Sequence, residues 1–209
     1  MAKTIIFDFD GTLADTGALY YEVYLKLAKE NGIVQFTPEQ VEELRLVSVK
    51  QRLKAAKVKF YRFPGLVNKA LKMYEELIES AHMFEGVEEE LIALKEQNAH
   101  MSIVSSNNST NIKKFLKVHG LEFFEHISGR ASVFNKQHAI RKHIRKLGLE
   151  KENIVYVGDE LRDIVACKKL GIKVVAVTWG YDHVELLQTG NPDYMITKPS
   201  ELGQIINEN

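Results

Sequence analysis

Thr4-Ile5-Ile6-Phe7-Asp8-Phe9-Asp10-Gly11-Thr12-Leu13-Ala14-Asp15-Thr16 lies near the start of the chain. It is a short apolar run that breaks into carboxylates, a glycine and a hydroxyl. The Ile-rich run over residues 4–9 predicts a buried strand. In extended chain, residues two apart point to the same side, so Asp8 and Asp10 project together from the strand's carboxyl end. Open α/β sheets bind ligands at that end. Gly11 permits a tight turn and a close backbone approach to an anion. Two neighbouring carboxylates repel and call for a cation, and hard oxygen donors suit Mg2+.

Outward from this stretch, short β-rich runs alternate with longer helical patterns, the signature of an α/β fold with a parallel sheet. Residues 101–105, 154–157 and 174–177 read as further buried strands, and 111–119, 138–147 and 163–170 as helices stopping at or near Gly120, Gly148 and Gly171. From about Gly17 to Met83 nothing reads as a strand. Residues 20–31, 39–46, 49–58 and 66–83 all carry helical spacing, and Thr37-Pro38-Glu39-Gln40 predicts a capped helix start. The expected fold is a Rossmann-like parallel-sheet core, residues 1–16 and 84–209, with an inserted all-helical cap over 17–83.

Three further motifs stand in order along the chain. Met101-Ser102-Ile103-Val104-Ser105 ends a strand on a hydroxyl and runs into Ser106-Asn107. Lys136 begins a helical pattern 23 positions before Asp159, with Gln137 after it. Tyr156-Val157-Gly158-Asp159-Glu160-Leu161-Arg162-Asp163 joins a strand to a helix. Together with the nine residues from Asp8 to Thr16 these resemble the four motifs of the haloacid dehalogenase-like superfamily. The helical insertion after the first motif resembles the class with a helical C1 cap. Trp179-Gly180 after the strand 174–177 is similar to the phosphoglycolate phosphatase-like members. Where the family often has Lys-Pro, this chain has Lys136-Gln137.

The resemblance implies a Mg2+-dependent phosphatase acting on a small phosphorylated metabolite. Asp8 would attack phosphorus and form an aspartyl-phosphate. Asp10 would protonate the leaving oxygen and then activate water. The metal would be held by Asp8, Asp10 and Asp159. Gly11, Thr12, Ser105, Asn107 and Lys136 would cradle the phosphoryl oxygens, with Ser106 the rival of Ser105. Asp163 would stand behind them, orienting Lys136 or a metal-bound water. Thr12 and Asp15 would help position the hinge of the cap. A phosphomutase of the β-phosphoglucomutase type shares every core residue and is the alternative. A dehalogenase does not need Asp10, and a catalytically dead binding module would lack one of the four motif residues Asp8, Asp10, Lys136 or Asp159.

Composition narrows the partners. Lys plus Arg and Asp plus Glu both total 28, so net charge implies neither nucleic acid nor membrane. No apolar run reaches the ~18 residues of a membrane span, and the N-terminus lacks a signal-peptide pattern. Cys167 is the single cysteine, which excludes an internal disulfide, fits a cytoplasmic enzyme and reads as a small buried hydrophobe. A monomer is the default. Charge is nevertheless segregated: residues 45–72 hold nine Lys or Arg and no acid, and residues 75–96 hold eight Glu and one Lys. Solvated helix faces explain this pattern. The sharper expectation is that Arg45, Lys50 and Arg52 face the active site and recognise an anionic leaving group.

Overall fold

The computed structural model describes residues 4–208. In chain order the elements are β1 (Thr4–Phe7), β2 (Ala14–Asp15), α1 (Gly17–Asn31), α2 (Pro38–Leu44), α3 (Val49–Ala55), α4 (Phe63–Glu75) and β3 (His82–Met83). There follow α5 (Val87–Glu96), β4 (His100–Val104), α6 (Ser109–Val118), β5 (His126–Ser128), α7 (Lys136–Leu147) and β6 (Ile154–Gly158). The chain ends with α8 (Leu161–Leu170), β7 (Lys173–Val177), α9 (Val184–Gln188), β8 (Tyr194–Ile196) and α10 (Glu201–Glu208).

Six strands form one parallel sheet in the order β5-β4-β1-β6-β7-β8. This is a Rossmann-like α/β fold. β1 and β6 are buried at every position, so both faces of the sheet need apolar side chains and the strands read as unbroken Ile/Val runs. One face packs Ile5, Phe7, Ile103 and Val157 against Leu91, Phe115 and Leu202. The other packs Ile6, Tyr156 and Val174 with Ile140, Ile164 and Cys167. Cys167 is fully buried, as its apolar reading requires. Each such side chain withdrawn from water contributes about 1.5–3 kcal/mol.

The register positions the chemistry. Phe7 pairs with Ile103 of β4 on one side and Val157 of β6 on the other. The residues following these three strands therefore emerge side by side, and they belong to three of the four motifs. The connection from β1 crosses to β4 while β6 lies on its opposite flank, so the chain reverses direction across β1 and leaves a crevice there.

Between β2 and β3 the helices α1–α4 form a compact insertion, α1 packing against α4. Thr37 caps α2 as its sequence predicts: the Gln40 amide donates to its hydroxyl and its own amide donates to the Gln40 side chain. Two expectations need correction. The helical pattern over 66–83 stops at Glu75, passes through a single 3-10 turn at Ile78–Ser80 and becomes β3. The segment up to Met83 is thus not free of strand, because β3 pairs antiparallel with β2, Ala14 opposite Met83 and Asp15 opposite His82. A two-residue strand carries no periodicity of its own. The edge strands β5 and β8 were likewise unexpected, at three residues each. Tyr74 and Ile78, within the predicted insertion, are buried in the same cluster as β1 and α5.

Candidate active site

Asp8 continues the line of β1, its amide donating to the Val157 carbonyl at 2.8 Å. Its carboxylate is buried and receives the Lys136 Nζ at 2.6 Å on Oδ2 and the Phe9 amide at 2.7 Å on Oδ1. Lys136 is the first residue of α7, itself buried, and its ammonium lies 3.2 Å from Asp163 Oδ1. Asp163 sits in the first turn of α8 and accepts the Glu160 amide at 3.3 Å, half of a capping box that fixes its rotamer. The Asp10 carboxylate takes the Asn107 Nδ2 at 3.0 Å, the Tyr74 hydroxyl at 2.8 Å and the Thr16 hydroxyl at 3.2 Å. Asp159 takes the Thr12 hydroxyl at 2.7 Å and the Tyr181 amide at 2.8 Å. Ser105 is buried and its hydroxyl accepts the Asn107 amide at 3.0 Å. Gly11 is required in its place: φ is +77°, and a Cβ there would meet Asp159 Oδ2 at 2.2 Å.

Asp8, Asp10, Asp159, Glu160 and Asp163 are all buried here, against the cations Lys136 and Arg162. The excess of negative charge shows in the acids. Burial, opposed by the Tyr74 hydroxyl and reinforced by Asp8, pushes Asp10 up to about 6. Burial pushes Asp163 up to about 7 even though Lys136 pulls it down. Asp159 is raised well above the carboxylate range by burial and then by Glu160 and Asp8. Burial alone would lower Lys136, but Asp163 and Asp8 outweigh it and hold the ammonium charged. A divalent cation with a preference for oxygen is the group this donor set fits. Carboxylate oxygens of Asp8, Glu160 and Asp163 all lie within 4.8 Å of one another. Of the three metal ligands expected from sequence, Asp8 alone contributes its side chain to that group. The Asp10 and Asp159 carboxylates lie outside that group, each accepting hydrogen bonds as described above, and Glu160 within it is paired with Arg162.

Residues 5–177 match the sequence profile of the haloacid dehalogenase-like hydrolases. The chain belongs to that family. It is 28% identical over 207 residues to a phosphoglycolate phosphatase of Synechococcus elongatus, covering 99% of this chain and 98% of the other. It is 29% identical over 222 residues to the pyrophosphatase PpaX of Listeria innocua, covering 98% and 96%. A haloacid dehalogenase-like hydrolase of Streptococcus pneumoniae superposes with a TM-score of 0.82 at 22% identity, over 98% of each chain. This haloacid dehalogenase-like protein is an enzyme of the phosphatase type. Among its described residues no helix is long and apolar enough to cross a membrane.

In this hydrolase Thr12 and Asn107, expected as phosphoryl donors, are engaged with Asp159 and Asp10. Asp15 is exposed on β2, at the base of the insertion. The cationic expectation for the insertion is overturned in part. Arg45 donates to the carbonyls of Gly180 and Tyr181 at 2.9 Å each, and Arg52 pairs with Asp182, so neither holds a free guanidinium over the crevice. Lys50 is exposed. Besides Glu160 and Thr16, the residues Tyr74, Tyr181 and Arg162 reach the site without a role assigned from the sequence. Tyr74 comes from α4, whose helical pattern gives no hint of Asp10. Tyr181 acts through its amide, which no side-chain pattern reveals. Arg162 places Nη2 4.0 Å from Asp8 Oδ2 and 3.5 Å from Ser106 Oγ, and donates through Nε to Glu160 at 2.6 Å. Its Nη1 is buried without a partner among the described residues. Its position inside the fourth motif was the available signal.

Proposed function

We propose that this hydrolase is a Mg2+-dependent phosphatase of small phosphorylated metabolites that works through an aspartyl-phosphate on Asp8. The observation that supports this best is the buried contact of Asp8 with Lys136 at 2.6 Å, backed by Asp163 at 3.2 Å. An amine so placed holds the nucleophile's carboxylate at the crevice and offers charge to an incoming phosphoryl group. In the first half-reaction an Asp8 carboxylate oxygen bonds to phosphorus as the bond to the leaving oxygen breaks. Asp10 delivers its proton to that oxygen, and a value near 6 suits a group that must both give and take a proton close to neutrality. In the second, Asp10 takes a proton from water, the water oxygen bonds to phosphorus and Asp8 is released with inorganic phosphate. Ser105, Lys136 and backbone amides of the first-motif turn hold the phosphoryl oxygens throughout. Asp8, Asp10 and Asp159, with Glu160 and Asp163 close to Asp8, would hold Mg2+, which when bound would neutralise charge on the transferring group.

In this reading residues 17–83 are a cap over a core of residues 1–16 and 84–209, and the cap closes the crevice over the substrate. The relatives act on phosphoglycolate and on pyrophosphate, both small and anionic, and a metabolite of that kind is the substrate class proposed here. Wild type should release phosphate in proportion to substrate consumed, without a bisphosphate activator. It should lose activity in EDTA and regain it with Mg2+. Quenched turnover followed by peptide mass spectrometry should find phosphate on the peptide carrying Asp8. Phosphate on a serine or histidine, or isomerisation without phosphate release, would overturn the proposal.

A further inference from the structure

We infer that Arg45 and Arg52, on the inserted helices, are positioning residues for Asp159, acting through the loop 180–183. The inference rests on the proposed role of Asp159 at the metal site. Arg45 stands just past α2, and Glu42 steadies its Nη1 at 2.8 Å. The other edge of the guanidinium reaches the core loop, Nη2 to the Gly180 carbonyl and Nε to the Tyr181 carbonyl, both at 2.9 Å. The Arg45 carbonyl in turn accepts the His183 amide at 3.0 Å. One of these contacts leads directly into the site. The Gly180 carbonyl and the Tyr181 amide belong to a single planar peptide group. Its oxygen is held by Arg45, and its N–H donates to Asp159 Oδ2 at 2.8 Å. Rotating that plane loses both bonds together, so the guanidinium sets the orientation in which the amide meets the carboxylate.

Two features keep the plane from relaxing elsewhere. A Cβ on Gly180 would lie 2.2 Å from Asp159 Cβ and 2.4 Å from the Gly11 carbonyl, so loop and first-motif turn are already in contact. Arg52 anchors the next residue, pairing with Asp182, whose other oxygen accepts the Leu161 amide at the start of α8 at 2.7 Å. Arg52 also donates to the Leu44 carbonyl at 2.9 Å, tying α2 to α3. Docking of the helices and shaping of Asp159 are thereby one event. A flexible lysine could not replace the fork at Arg45, because it offers a point charge rather than fixed, divergent donors.

The test uses the full chain with Arg45→Ala, Arg45→Lys, Arg52→Ala and, as a charge control, Lys50→Ala. Amide exchange at Tyr181 is measured without metal, and Mg2+ affinity by calorimetry without substrate. Arg45→Ala should speed exchange at Tyr181 and weaken Mg2+ binding by roughly tenfold, the scale seen when a partner of a metal ligand is removed. Arg52→Ala should follow in the same direction, Arg45→Lys should fall between, and Lys50→Ala should match wild type. Unchanged exchange and unchanged Mg2+ affinity in Arg45→Ala overturn the inference and leave the functional proposal standing. A wild type that binds no Mg2+ overturns the functional proposal and the positioning role with it.

Discussion

Replacing Lys136 by Met keeps an unbranched chain of similar length and deletes the one ammonium between Asp8 and Asp163. Both carboxylates remain buried, so the change strands charge that had a partner at 2.6 Å and another at 3.2 Å. Removing one member of a buried ion pair costs about 3–5 kcal/mol. The lower end applies here, because Arg162 still stands 4.0 Å from Asp8. For a chain of this size, 1 kcal/mol moves Tm by roughly 2–4 °C, so the metal-free variant should melt about 6–12 °C below wild type. The loss must also depend on pH. Asp163 is raised in the fold to about 7 from an ordinary 3.8, with burial pushing it up and Lys136 pulling it down. For such a group the contribution to stability is full below the unfolded value and is lost as pH rises through the folded value. Without Lys136 the folded value climbs further, so the gap between variant and wild type should widen above pH 7, by at most ~1.4 kcal/mol per pH unit. Thermal melts in EDTA between pH 5.5 and 8.5 measure this directly. A variant that melts within 2 °C of wild type, or a gap that does not change with pH, would refute the electrostatic account of the site.

Tyr74→Phe removes a donor that lowers Asp10, so the pH–rate limb assigned to Asp10 should move upward from about 6. Turnover of an alkyl phosphate should fall roughly tenfold, as for a lost hydrogen bond to a charged group, and more than that of p-nitrophenyl phosphate, whose leaving group needs no proton. An unmoved limb would remove Tyr74 from the acid–base apparatus. Gly180→Ala forces a Cβ to 2.2 Å from Asp159 Cβ. It should destabilise by about 1–3 kcal/mol and weaken Mg2+ binding, whereas a fully active, equally stable variant would show that the loop yields freely. His143 is buried between the Ser102 and Ser128 hydroxyls at 2.9 and 2.8 Å, and burial lowers it from 6.5 to about 4. Its contribution is present above 6.5 and lost as pH falls through 4, so wild-type Tm should decline over that interval. The decline should shrink in His143→Gln, and an identical acid limb in both proteins would count against it.

How much of this was legible beforehand follows from how each interaction is built. Asp8 and Asp10 could be placed at the carboxyl end of β1 from residue order alone, because the apolar run gives way to them there and the parallel sheet presents its carboxyl ends to one crevice, although β1 ends at Phe7 and not at the expected Phe9. Asp159, Asp163 and Lys136 were legible through the motifs that carry the family resemblance, Asp159 directly after β6, Asp163 in the first turn of α8 and Lys136 opening α7. What each carboxylate touches was not. The sequence groups Asp8, Asp10 and Asp159 as metal ligands, and the fold adds the Tyr74 hydroxyl on Asp10, the Tyr181 amide on Asp159 and Glu160 close to Asp8. Those contacts depend on side-chain rotamers and on residues 64 and 22 positions away, which no local pattern encodes. The short strand β3 escaped because two residues cannot express a period, and its existence depends on β2 meeting it across the whole insertion. Arg45 and Arg52 show the same limit. Their charge was visible in the sequence and suggested an anionic ligand. Only the folded chain brings main-chain carbonyls and Asp182 to them, because a guanidinium binds whichever acceptor the tertiary structure sets within reach.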